Sequence, residues 1–271
     1  MQFRTEVRVG KAPYEIRAAE RMLFVGSCFA DNLGRRFVDN RFPATVNPDG
    51  VMYNPASILH TVERFILRED HQVGVAIFTL GTNHVYILRE TGEIVDNCQK
   101  RPQRLFEERE LTVAECADYL RRSIALLRKT SPEVKVILTV SPIRYAKYGY
   151  HESQLSKATL LLAAHELVKE APDVVGYFPA YEILNDELRD YRFYREDMLH
   201  PTDQAVEYVY EKFRQAYFGR EAEQFVAEWK PIREALAHRP FNPSSADYQR
   251  FLAEAKEKER KFNEKYFKAL R

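Results

Sequence analysis

Short runs in which nearly every residue is apolar alternate along this chain with longer stretches of helical periodicity, and most runs end on Gly, Ser or Pro. A strand that is apolar at every position, instead of every second one, is buried on both faces. Residues 21–26, 44–53, 73–80, 134–140 and 174–178 read as such extended segments, and helical patterns follow over 29–40, 55–67, 112–129, 154–169 and 205–217. About five rounds of strand and helix predict an α/β fold, a parallel sheet covered on both sides. Residues 84–95 alternate apolar with polar and turn at Thr91-Gly92, which predicts a β-hairpin excursion. After Gly219 no strand-like run remains, and two charged helical stretches flank Arg239-Pro240-Phe241-Asn242-Pro243, the second over 247–270. The expected organisation is one domain over 1–219 and a helical C-terminal extension over 220–271.

Charge and cysteine content remove several classes of function. Forty-one Lys and Arg against forty Asp and Glu leave a net charge of +1, with no global attraction to nucleic acid or an anionic membrane. The three cysteines, Cys28, Cys98 and Cys116, are odd in number and form no Cys-x-x-Cys pair, which disfavours a disulfide framework and a thiolate zinc site. Met1-Gln2-Phe3-Arg4-Thr5-Glu6 opens without an apolar signal segment, and no run approaches the roughly 18 apolar residues of a membrane span. The expectation is a cytoplasmic protein with no metal and no organic cofactor.

In a parallel sheet of this kind ligands bind beyond the carboxyl ends of the strands. The first strand ends in Gly26-Ser27-Cys28, the third leads to Gly81-Thr82-Asn83-His84, and the fourth ends at Ser141-Pro142. A serine just before a helix is commonly its N-cap. The same position also aims Oγ at free N–H groups and a positive helix end, which suits a nucleophile that passes through an oxyanion. Cys28 is the rival nucleophile, and a small buried thiol is its plainer reading. Downstream, Asp197 and His200 stand three apart before Pro201, so His200 should lie extended on a loop. There a carboxylate can take the Nδ1–H and leave Nε2 to accept a proton; a surface pair that caps a helix is the simpler alternative. Asn83 can offer an amide to an oxyanion or can merely shape a turn.

Gly-Ser after the first strand, Gly-x-Asn after the third and Asp-x-x-His before a late helix together resemble the SGNH (GDSL-like) hydrolase superfamily. Gly26-Ser27-Cys28-Phe29-Ala30 is also the name-giving motif of its bacterial GSCFA branch. The resemblance continues through Asn47-Pro48-Asp49-Gly50-Val51-Met52-Tyr53-Asn54-Pro55, Asn97-Cys98-Gln99-Lys100, Ser156-Lys157-Ala158 and Leu188-Arg189-Asp190-Tyr191, and so covers roughly residues 3–215. It implies a three-layer α/β/α sandwich with a flavodoxin-like parallel sheet of about five strands. Ser27 then matches the nucleophile, His200 the general base and Asp197 its orienting carboxylate. The Ser27 N–H, Gly50 and the Asn83 side chain match the oxyanion-hole positions. The family commonly has a small residue at the position of Asn83 and a His at that of Gln99, so Asn54 stands as the alternative donor.

The implied activity is cleavage of an ester through an acyl-enzyme on Ser27. A small acyl group such as O-acetyl, on a carbohydrate or another small molecule, is the expected substrate, with Tyr53, Tyr86 and Tyr145 available to stack on sugar. The same triad serves an acyltransferase, and a non-catalytic ligand-binding module on this fold is the third reading. His84 is the next histidine to consider as a base.

Overall fold

The computed structural model describes residues 4–68 and 72–268, so the expected start at Met1 and the expected helix end at Leu270 lie outside the described residues. Along the chain run β1 (Met22–Gly26), α1 (Cys28–Asp39), β2 (Ala44–Val46), α2 (Pro55–Phe65) and β3 (Val75–Leu80). The antiparallel strands β4 (His84–Leu88), β5 (Ile94–Val95) and β6 (Phe106–Glu110) follow, then α3 (Val113–Thr130), β7 (Lys135–Val140), α4 (Tyr150–Glu170) and β8 (Val175–Tyr177). The chain closes with the short α5 (Ala180–Glu182), α6 (Asp203–Tyr217), α7 (Arg220–Ala237) and α8 (Ala246–Phe267).

The main sheet has five parallel strands in the order β2-β1-β3-β7-β8, the flavodoxin-like order. Alternate side chains of each strand enter different cores. Met22, Phe24, Ile77 and Ile137 pack with α1, α6 and α7, whereas Leu23, Val25, Ala76, Phe78, Val136 and Leu138 pack with α2, α3 and α4. Double burial is why the strand sequences show no alternation, and the three-layer α/β/α sandwich follows from it.

Three local differences from the sequence reading have physical causes. The second extended segment stops at Val46, because Asn47 adopts a left-handed φ of 40° and Pro48 follows. The hairpin excursion gains a third strand, β6, whose Phe-Glu-Glu-Arg-Glu sequence is exposed beyond Phe106 and carries no apolar signal. Helix α4 begins at Tyr150, four residues before the expected Gln154, after Gly149 turns the chain at φ 90°.

The C-terminal helices are continuous with one of the two cores. Trp229 and Phe225 of α7 and Phe262 of α8 belong to the same apolar cluster as Phe37 and Phe42. The indole N–H of Trp229 donates to the Asp39 carbonyl at 2.8 Å, capping the end of α1, and Arg41 lies over its ring at 5.3 Å. Truncating this ring removes both apolar contact and a hydrogen bond, so Trp229→Ala should cost about 3 kcal/mol or more of unfolding free energy. Urea melts measure this, and a loss under about 1 kcal/mol would mean that the ring does not anchor the two helices.

Candidate active site

The carboxyl ends of β1, β3 and β7 open into a cavity of about 340 Å³, lined among others by Ser27, Cys28, Tyr53, Gly81, Ser141, Tyr145, Leu199 and His200. None of the residues lining it comes from α7 or α8.

Ser27 owes its place to the residue before it. Gly26 has a φ of 143°, and a Cβ there would overlap the Thr79 carbonyl oxygen, so only glycine lets β1 run this close to β3. The Gly26 N–H donates to Asn47 Oδ1 at 2.9 Å and the Ser27 N–H to the Thr79 carbonyl at 3.0 Å. Ser27 then caps α1: its Oγ accepts from the Phe29 N–H at 3.2 Å and shares a 3.1 Å hydrogen bond with Thr79 Oγ1. Ser27 is 2% exposed and lines the cavity. The helix cap and the strand-end position of Ser27 are thus one arrangement, with the helix N-terminus adding positive potential at Oγ.

His200 reaches the same cavity on a loop that its own neighbour organises. Asp197 Oδ1 accepts the N–H groups of Leu199 and His200 at 2.9 and 3.0 Å, while Oδ2 pairs with His200 Nδ1 at 2.7 Å. Met198 takes a left-handed φ of 59° to close this turn. The loop is held from β7's side, where the Arg144 N–H and its guanidinium donate to the carbonyls of Leu199 and Met198 at 3.0 and 3.2 Å. With Nδ1 occupied by the carboxylate, Nε2 is the nitrogen left for the cavity. Among the described residues Ser27 and His200 line the cavity together but share no direct hydrogen bond, because the serine hydroxyl is turned to Thr79.

The expected oxyanion donors are engaged elsewhere. The Ser27 and Gly50 N–H groups donate to the carbonyls of Thr79 and Asn47. Asn54 caps α2 through Oδ1 and donates Nδ2 to the His84 carbonyl at 3.1 Å. Asn83 donates Nδ2 to the Leu111 carbonyl at 2.8 Å, and among the described residues its buried Oδ1 has no partner. Gly50, Asn54 and Asn83 are not among the cavity's lining residues. The asparagines' acceptor carbonyls come from the β4–β6 excursion and the residue after it, His84 in β4 and Leu111 just beyond β6. His84 is likewise outside the lining. It is buried, stacked on Tyr148 at 4.0 Å, and burial pushes its imidazole towards the neutral form.

Cys28 does line the cavity, its Sγ 3.7 Å from the Tyr53 hydroxyl. Burial, aided by that thiol, pushes the Tyr53 phenol up to about 12, so it remains a neutral donor. Two residues that sequence reading left without a role also meet here. Thr79, a polar residue inside an apolar run, holds both the N–H and the hydroxyl of Ser27. Lys157, from the Ser156-Lys157-Ala158 block, is buried on α4 and donates to the carbonyls of two lining residues, Gly81 and Ser141, at 2.7 and 2.9 Å. Among the described residues no group of three or more His, Cys, Asp or Glu could hold a metal ion, and no helix is long and apolar enough to cross a membrane.

The model of the GSCFA family matches residues 21–74 and 68–213, and that of the GSCFA domain protein, C-terminal domain, matches residues 229–269. No curated protein matches the chain. Among solved structures it is similar to a member of the lipolytic G-D-S-L family from Veillonella parvula, with 11% identity over 72% of this chain and 96% of the other and a TM-score of 0.46. An acetyl-xylooligosaccharide esterase from Geobacillus is similar at 12% identity over 74% and 95% of the two chains, TM-score 0.46.

Two backbone N–H groups and the imidazole hold the Asp197 carboxyl down to about 2, against an ordinary aspartate value of 3.8. Carbon-13 NMR of this carboxyl should therefore show it ionised well below the usual range. In His200→Ala the midpoint should rise only part of the way to 3.8, since the N–H groups of Leu199 and residue 200 remain. A full return would mean that the backbone turn contributes nothing.

Proposed function

The chain belongs to the GSCFA family, and from that premise we propose that it is a serine esterase that works through an acyl-enzyme on Ser27. The observation that carries this reading is the meeting of Ser27, at the end of β1, with the Asp197–His200 pair in one cavity. The Ser27 hydroxyl turns from Thr79 Oγ1 to His200 Nε2 as substrate enters, a tightening of the kind catalytic hydrogen bonds show on binding. Oγ attacks the carbonyl carbon, its proton passes to Nε2, and the imidazolium is stabilised by Asp197. Collapse of the tetrahedral intermediate expels the alcohol, which takes the proton from Nε2. Water then attacks the acyl-enzyme by the same route and releases the acid.

Ser27 already holds the Phe29 and Ala30 N–H groups, so the Cys28 N–H is the N-terminal donor of α1 left to face the developing oxyanion. Gly50, Asn54 and Asn83 join it only by exchanging the acceptors they now hold. A cavity of about 340 Å³ lies at the small end of ligand sites, which favours a short acyl group such as acetyl. Tyr53 and Tyr145 at its wall offer apolar faces to a carbohydrate alcohol.

Ser27→Ala should abolish labelling by a fluorophosphonate probe and lower nitrophenyl acetate hydrolysis by at least about 10⁴-fold. Loss of the α1 cap should cost only about 1 kcal/mol, a melting shift of a few degrees. Cys28→Ser should keep both activities. The opposite pattern, an active Ser27→Ala and a dead Cys28→Ser, makes the thiol the nucleophile.

As general base, His200 needs a free Nε2 lone pair to take the Ser27 proton. Because Asp197 is held down to about 2, its carboxylate stays charged throughout the mildly acidic range and keeps its hold on Nδ1 there. Asp197→Asn should be milder than His200→Ala, since the two side chains are 44% and 35% exposed and water can partly replace the carboxylate. A His200→Ala variant that keeps wild-type kcat/KM for nitrophenyl acetate would remove His200 from the mechanism.

A further inference from the structure

Lys157 stands out from the rest of the molecule. Lysines are almost never fully buried unless an acid pairs with them, yet Lys157 is 2% exposed and no carboxylate lies within ion-pair distance among the described residues. Its Nζ instead donates to the backbone carbonyls of Gly81 and Ser141, at 2.7 and 2.9 Å, and has the Tyr181 ring 6.0 Å away. Both carbonyls belong to residues that line the cavity, and they come from the ends of neighbouring strands, β3 and β7. Burial works against the charged form and pushes this ammonium down to about 7, so the site is costly where an apolar side chain of similar length would not be.

What Lys157 touches leads in two directions. Gly81 lies two residues beyond Thr79, which holds the N–H and hydroxyl of Ser27. Ser141 begins the loop whose Arg144 holds the carbonyls of Met198 and Leu199 beside His200. The residue before Lys157 strengthens the first link, since Ser156 Oγ accepts the Asn83 N–H at 3.0 Å and shares a 3.0 Å hydrogen bond with Thr82 Oγ1.

We propose that Lys157 is a positioning residue: by clamping the Gly81 and Ser141 carbonyls it fixes the spacing between the Ser27 side and the His200 side of the cavity. This rests on the esterase reading above. It assigns a role to the Ser156-Lys157 pair, on a helix that contributes no residue to the cavity lining. Removing the ammonium leaves two strand-end carbonyls without their shared donor, so β3 and β7 can separate at their ends without either strand unfolding.

The test compares wild type, Lys157→Met and Lys157→Gln, with competent sites counted by stoichiometric fluorophosphonate labelling and turnover of nitrophenyl acetate expressed per labelled site. Positioning predicts a per-site kcat lowered by roughly 10- to 100-fold in Lys157→Met, the scale of a misplacement near 1 Å, with KM changed by less than about threefold. Lys157→Gln, which keeps amide donors, should fall between. A folded Lys157→Met, or a folded Lys157→Gln if the former does not fold, with per-site kcat within about twofold of wild type overturns the inference. If neither variant folds, Lys157 is a folding residue and the positioning role is wrong. A wild type that neither labels nor turns over overturns the esterase reading, and this inference with it.

Discussion

The passage of β1 against β3 at Gly26 and Thr79 is the constraint on which the site depends. A parallel sheet leaves its strand ends as loose N–H and C=O groups, and here the last rungs are used to place a side chain. Because Gly26 carries no Cβ, the ladder continues one residue further than the strand itself, to the Ser27 N–H on the Thr79 carbonyl. The chain must turn into α1 at once, so the serine is exposed to the cavity and bound into the helix end in the same step. Any residue with a Cβ at 26 would push β1 away from β3 and move Oγ with it.

The other half of the site is built by local hydrogen bonds and then carried into place. Asp197 organises its own turn through the N–H groups of Leu199 and His200 before it meets the imidazole. That turn is rigid but has no intrinsic position. Arg144, on the loop after β7, supplies one by taking the carbonyls of Met198 and Leu199. Both halves therefore refer back to the β3–β7 strand ends, the place where Lys157 reaches in from α4. The half-exposed Asp197–His200 pair and the buried Ser27 differ in solvent access.

The C-terminal helices act on a different part of the molecule. They cover the end of α1 and Phe42, two residues before β2, through Trp229 and Phe225, with Phe262 packed on both, on the apolar cluster that also backs β1. Their charged sequence is compatible with this because only one stripe of each helix is buried, Ala222, Phe225, Val226, Trp229 and Ile232 on α7 and Ala255 and Phe262 on α8. The cavity lies at the carboxyl ends of the strands and draws nothing from them.

Much of this was readable from residue order alone, for a local reason. Fully apolar runs declare doubly buried strands, and Gly26-Ser27 and Asp197-x-x-His200 are arrangements whose geometry is set within a few residues. The three layers, the strand-end position of Ser27 and the Asp197–His200 pair follow from such signals. The acceptors of Asn54 and Asn83 could not be read in this way. They come from His84 and Leu111, brought beside them by a three-stranded excursion whose last strand, Phe106–Glu110, is too charged to look like one. Lys157 was hidden for the same reason, since a lysine in a helical pattern reads as solvent-facing. The sequence by itself determined the elements and the two halves of the site, because those rest on neighbours along the chain. Only the tertiary structure decided which hydrogen bonds their polar groups make, because a donor's partner depends on which distant carbonyl the packed strands and helices leave within 3 Å of it.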